Sequence, residues 1–231
     1  MQKPRKAPEG LRCAIFDFDG TLFDSMYVWD VAGRQYLRSQ GREPKPSLAE
    51  DLRTMSLYQA ACYFQQEYGL SQPLEEIMDG INRAVEVYYF RDVLPKPGIP
   101  AFLQALREAG VALCIATATD RYQIEAALTR CGLSEFFPAI FTCSEVGRGK
   151  DDPLIYRQAM AHCGADRSHT VIFEDAIHAV ETAKADGFTV VGIQDDSEER
   201  QTLLQSLSDC YLHDFTDPEA FWAFLTEEAK P

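Results

Sequence analysis

The segment Asp17-Phe18-Asp19-Gly20-Thr21 sets two carboxylates and a hydroxyl around a glycine, at the end of an apolar run that begins at Leu11. Further along come Thr117-Ala118-Thr119-Asp120, then Lys150 inside the stretch from Cys143 to Asp152, then the acidic pair Glu174-Asp175. Carboxylates gathered at one place repel one another unless a hard cation binds them, and an all-oxygen donor set suits Mg²⁺. Such an ion screens an attacking carboxylate from an anionic phosphate and takes up developing charge. Lys150 supplies a second positive point against phosphate oxygens. Thr117, Thr21 and the backbone N–H groups around Gly20 and Ala118 are candidates to hold the remaining oxygens. The chemistry these groups fit is phosphoryl transfer.

Each cluster alone has an ordinary explanation. An Asp-x-Asp at a strand end is usually a turn or a helix cap, and Glu174-Asp175 could cap the helix that follows. A lone loop lysine is usually solvated. The argument therefore rests on the elements that bring the clusters together.

Leu11 to Phe18 reads as a buried strand and a tight loop. From about Asp24 to Asp92 the texture turns to Tyr, Gln, Glu and Arg with no convincing strand. Trp29, Ala32 and Tyr36 share one helix face, and Leu74, Ile77, Met78, Ile81, Val85 and Tyr88 another. This stretch, residues 23–92, is expected to be a helical insert in a core built from residues 1–22 and 93–231. After Gly98 strands and helices alternate. Ile99, Phe102, Leu103 and Leu106 make the face of a helix that Gly110 stops, and further helices are expected at Arg121–Cys131, Pro153–Cys163, Ala176–Asp186 and Ser197–Leu207, with a last one from Pro218. Strands are expected at Val111–Ala116, Ala139–Thr142, Thr170–Phe173, Phe188–Ile193 and Cys210–Leu212. That alternation specifies an α/β fold, a doubly wound parallel sheet covered on both faces. Ligands of such sheets bind at the C-terminal strand ends, where all the clusters named above fall. Asp17 and Asp19 would leave an extended strand on opposite faces, so the loop must curl after Asp17, which Gly20 permits.

The chain has 231 residues, 46% of them apolar, enough for one core with an insert. Its formal charge is −14, which repels nucleic acid and anionic membranes and requires local positive potential for any anionic ligand. Seven cysteines, with no C-x-x-C pair, fit a reducing cytoplasm better than a disulfide framework or a zinc site. The N-terminus lacks the apolar stretch of a signal peptide, and no run reaches the ~20 apolar residues of a membrane helix. A cytoplasmic monomer acting on a small phosphorylated metabolite, without nucleic-acid or membrane partners, is expected.

The run Asp17 to Ser25, DFDGTLFDS, resembles the first motif of the haloacid dehalogenase-like superfamily, and the resemblance extends from about Leu11 to Ile193. It implies that Asp17 is a nucleophile forming an aspartyl-phosphate, and that Asp19 is the general acid and base. Thr117 matches the second motif's hydroxyl, Lys150 the third motif's lysine, and Glu174 and Asp175 the acidic fourth motif. The metal would be Mg²⁺ held by Asp17, the main-chain carbonyl of Asp19 and Asp175, with Glu174 close by or bonding through water. The insert is similar to the helical cap of the phosphoglycolate phosphatase and β-phosphoglucomutase-like subfamily. Its hinges would lie near Leu22-Phe23 and Tyr89 to Pro95, and closure would exclude water. By analogy Arg53, in the cap's first inter-helix loop, would contact substrate.

Two departures stand out. Lys150 is followed by Asp151-Asp152 where the family usually has proline, and Ala176 and Ala179 replace the serine and glycine common after the acidic pair. The charged groups survive both. A phosphatase is the favoured reading; Thr21 leans away from the phosphosugar mutases, which often carry valine there. A dehalogenase would have no use for Asp19. Outside enzymes, a receiver-like or silent phosphate-binding module is the rival. Receivers are shorter, place the acidic pair on the first strand and have no helical insert. His162, His169, His178 and His213 share no catalytic spacing.

Overall fold

A computed structural model describes residues 10–52, 55 and 57–228. Contacts divide the chain into two compact units, one running to Asp24 and resuming at Leu94, the other Ser25–Val93.

In chain order the first unit opens with β1 (Cys13–Phe16) and β2 (Phe23–Asp24). The second unit then supplies α1 (Met26–Ser39), α2 (Leu48–Leu52), α3 (Leu57–Tyr68) and α4 (Leu74–Arg91). The first unit resumes with β3 (Leu94–Pro95), α5 (Ile99–Glu108), β4 (Ala112–Thr117), α6 (Arg121–Arg130), β5 (Ala139–Thr142) and α7 (Cys143–Val146). It ends with α8 (Leu154–His162), β6 (Thr170–Glu174), α9 (Ile177–Ala185), β7 (Thr189–Ile193), α10 (Gln201–Leu207), β8 (Cys210–Leu212) and α11 (Glu219–Glu228).

The main sheet runs β5-β4-β1-β6-β7-β8, and each of its strand pairs is parallel. β1 is central. The chain winds outward from it to β4 and β5 on one side, then to β6, β7 and β8 on the other, so the crevice beyond the end of β1 is the topological switch point. Every residue of β1 is buried, as a strand covered on both faces requires. One face sets Cys13 and Ile15 with Cys114, Ile172 and the helix residues Ile155, Ala159 and Val180. The other is aromatic: Phe16 stacks on its register partner Phe173 at 4.3 Å and meets Phe102 edge-on at 6.4 Å. Each such ring contributes ~2–3 kcal/mol by leaving water.

β2 and β3 pair antiparallel, so both chain crossings between the units run through one short ribbon. Within the helical unit, Val28, Ala32, Tyr36, Phe64, Ile77, Ile81 and Val85 are buried. Trp29 and Tyr88, expected to face inward, are half-buried; Val28 and Tyr89 take the inner places one position away. A single helical step is ~100°, too little for periodicity alone to separate neighbouring large residues.

Two elements differ from expectation. α10 starts at Gln201 rather than near Ser197, because Asp195 Oδ1 accepts the Ser197 N–H at 3.0 Å and holds that stretch in a turn. The segment after β5 is not plain loop: Thr142 Oγ1 accepts the Glu145 N–H at 3.2 Å and starts the single turn α7.

Candidate active site

The site grows from the end of β1. Asp17 extends the ladder by one residue, its N–H donating to Phe173 O at 3.0 Å. The chain then curls at Gly20, whose φ is +76°. The glycine is needed for space as well, since a Cβ there would lie 2.3 Å from Asp175 Oδ2. The curl closes on itself: Gly20 N–H donates to Phe23 O at 2.9 Å, and Phe23 N–H to Phe18 O at 2.9 Å. That corrects one expectation. The Gly20 amide is committed to the loop and is not a donor for phosphate oxygens.

From the end of β6 come Glu174, with no exposed surface, and Asp175, 3% exposed. From the loop after α7 comes Lys150, 7% exposed. Lys150 Nζ lies 2.5 Å from Asp17 Oδ1 and 2.6 Å from Glu174 Oε1. Tyr156 on α8 donates its hydroxyl to the same Glu174 oxygen at 2.8 Å. Thr21 is fully buried and donates to Asp175 Oδ1 at 2.8 Å, so its hydroxyl orients a carboxylate in place of the substrate contact expected of it.

A second set forms from the first loop and the end of β4. Thr119 Oγ1 donates to Asp19 Oδ2 at 2.6 Å, and the Thr119 N–H donates to Thr117 Oγ1 at 3.1 Å. Thr117 is buried and Ala118 is exposed at the tip of that turn. Arg53 lies outside the described residues. A buried ion pair, Lys96 Nζ to Asp195 Oδ2 at 2.8 Å, closes the neighbouring rim.

The electrostatics follow from burial. Asp17 is pushed up to about 7, by burial first and the Glu174 charge second, with Lys150 pulling the other way. Asp175 is held well above the usual carboxylate range by burial, then by Asp17, Glu174 and Asp195. Burial works against the Lys150 ammonium, but Asp17 and Glu174 outweigh it and hold its affinity for the proton above normal.

One oxygen each of Asp17, Glu174 and Asp175 lies within 4.8 Å of the others. Three carboxylates face one ammonium there. Glu174 Oε2 is buried and accepts no hydrogen bond from the described residues, a costly state for a charged oxygen. An oxygen-only, charge-deficient cluster with an orphaned acceptor fits a hard divalent cation. Among the described residues no helix is long and apolar enough to cross a membrane.

Thr119 and Tyr156 are the residues that sequence reasoning passed over. Thr119 stood in view beside Thr117; Tyr156 gave no sign, being one more large residue on a helix face.

A family model described as "Haloacid dehalogenase-like hydrolase" matches residues 14–193. The chain belongs to the haloacid dehalogenase-like hydrolase family. Among curated proteins it is 22% identical to the phosphorylated carbohydrates phosphatase of Thermotoga maritima, covering 85% of this chain and 91% of that one. It is 27% identical to hexitol phosphatase B of Escherichia coli K12, covering 77% of this chain and 81% of the relative. Among solved structures, CbbY from Rhodobacter sphaeroides in complex with phosphate superposes with a TM-score of 0.82 at 21% identity, covering 93% of this chain and 99% of that one.

Proposed function

We propose that this hydrolase is a magnesium-dependent phosphatase of small phosphorylated metabolites, with Asp17 as nucleophile and Asp19 as general acid and base. The observation that carries the reading is the convergence of Asp17, Glu174 and Asp175 within 4.8 Å, with Lys150 bonded to the first two.

In the first step an Asp17 oxygen attacks phosphorus, the P–O bond to the leaving group breaks, and Asp19 gives that oxygen its proton. In the second step water attacks the phosphorus of the aspartyl-phosphate, Asp19 takes the water's proton, and Asp17 is released as a carboxylate. Thr119 fixes the Asp19 carboxyl through its 2.6 Å hydrogen bond. Lys150 holds Asp17 and Glu174 in register and offers its charge to the phosphate. The Thr117 hydroxyl, at the end of β4, and the amide of Ala118, an exposed residue, are assigned to phosphate oxygens. Mg²⁺, bound by Asp17 and Asp175 with the Asp19 main-chain carbonyl and Glu174 beside them, would offset the negative charge of nucleophile and phosphate.

Two of the curated relatives are named for carbohydrate and hexitol phosphates. A phosphorylated sugar or sugar alcohol is therefore the substrate class proposed, and water, as in those phosphatases, the acceptor. The test is a panel of phosphomonoesters spanning sugar phosphates, hexitol phosphates, phosphoglycolate and nucleoside monophosphates, each with Mg²⁺ or with chelator. Phosphate release that needs Mg²⁺ and is fastest on the sugar or hexitol esters is expected. A folded protein that releases phosphate from none of them, or equally well with chelator, ends the reading.

A further inference from the structure

The seven cysteines are not scattered as their sequence positions suggested. All are free, but three of them meet. Cys13 on β1, Cys114 on β4 and Cys163 just past the end of α8 place their sulfurs within 4.8 Å of one another. The Cys163 and Cys114 sulfurs are 3.8 Å apart. Cys13 and Cys114 have no exposed surface, while Cys163 is only partly covered and gives a way in.

We propose that Cys13, Cys114 and Cys163 form a binding site for a trivalent, thiophilic ion of the arsenic(III) class. Three sulfurs bound to one pyramidal centre by bonds of ~2.3 Å lie ~3.5 Å apart, so sulfurs that already stand within 4.8 Å of one another, two of them at 3.8 Å, need only a small approach. The surroundings select the charge. Ile155, Ala159, Ile172 and Val180 pack in the same cluster, and an apolar shell penalises any complex with net charge. Three thiolates leave a monovalent or divalent ion with net negative charge and neutralise a trivalent one.

Arsenous acid condenses with three thiols in this way: three As–O bonds break, three As–S bonds form, and the thiol protons leave with the hydroxyls as three waters. Arsenic stays in its trivalent state, and no oxidant or reductant enters. Asp17 lies four residues beyond Cys13, ~13 Å along an extended strand, so this site is separate from the carboxylates. It does not depend on the phosphatase reading.

Reduced protein is incubated with arsenous acid, then examined by native mass spectrometry and arsenic X-ray absorption. One arsenic per chain is expected, with a mass gain of one arsenic less three hydrogens and a shell of three sulfurs. Cys163→Ala, at the partly exposed thiol, should lose the three-sulfur shell, and Cys210→Ala should keep it. The spectrum of the unaltered protein decides the matter even if a variant folds poorly. A shell of two sulfurs and an oxygen, a three-sulfur shell that persists in folded Cys163→Ala, or capture of cadmium(II) without arsenous acid overturns the proposal.

Discussion

Lys150 and Glu174 show how the pocket is balanced residue by residue. Glu174 gives one oxygen to both Lys150 and Tyr156, and its other accepts no hydrogen bond from the described residues. Tyr156 thus holds the Glu174 carboxylate in position and touches none of the reacting atoms. Tyr156→Phe keeps the packing but removes that hydrogen bond, and comparable losses behind metal ligands weaken metal affinity ~10–100-fold. A Mg²⁺ titration of activity should show the half-saturating concentration rising by about tenfold or more, with an unchanged melting profile; an unchanged titration removes Tyr156 from this role. The carboxylates were legible in the sequence because each follows a strand, and Lys150 because it stands between β5 and the next long helix; the strand ends of a parallel sheet share one rim. Tyr156 was not legible, because its hydroxyl matters only through a residue 18 positions away. Arg53 was read only by analogy with the cap's first inter-helix loop, and Thr21 only from its place beside Gly20; the Thr21 hydroxyl donates to Asp175.

At the scale of elements, strand and helix order followed from patterning that the packing reinforced. β5 and β8 occupy the spans read from sequence, Ala139–Thr142 and Cys210–Leu212. The turn α7 carried its own signal, Thr142-Cys143-Ser144-Glu145, a threonine followed three residues later by glutamate, whose capping meaning was overlooked. The family's proline after the lysine is absent, but Asp152 Oδ1 accepts the Leu154 N–H at 2.9 Å and caps the start of α8 in its place. In the helical unit, α4 approaches α1 closely at Gly80, where a Cβ would meet Tyr36 Cε2 at 2.1 Å. Gly to Ala in a helix interior normally gains ~1 kcal/mol. Here overpacking against the Tyr36 ring reverses the sign, at ~1–3 kcal/mol. Chemical denaturation of Gly80→Ala should show lower stability; a gain would mean that the two helices part without cost.

For the whole molecule, the formal charge of −14 leaves the proposed phosphate site in need of local positive charge, from Lys150 and the cation proposed beside it. Without metal, Asp17 rises from 3.8 to about 7. The folded state therefore binds more protons than the unfolded chain between those values, and stability from this group falls as pH rises through that window. Asp175 acts in the same direction. A cation binds the ionised carboxylates, so below about pH 7 protons compete with it, and each proton displaced costs about tenfold in affinity per pH unit. The thermal shift given by a fixed Mg²⁺ concentration should be larger at pH 8 than at pH 5.5. An equal shift, or a larger one in acid, would place the ion elsewhere.

The covalent role proposed for Asp17 is open to a single measurement. Protein mixed briefly with Mg²⁺ and a reactive phosphomonoester is quenched in acid, digested and mapped by mass spectrometry. One phosphoryl group on the peptide containing Asp17, absent from folded Asp17→Asn along with turnover, is the expected result. A phosphoryl group on another residue, or turnover retained by Asp17→Asn, contradicts it.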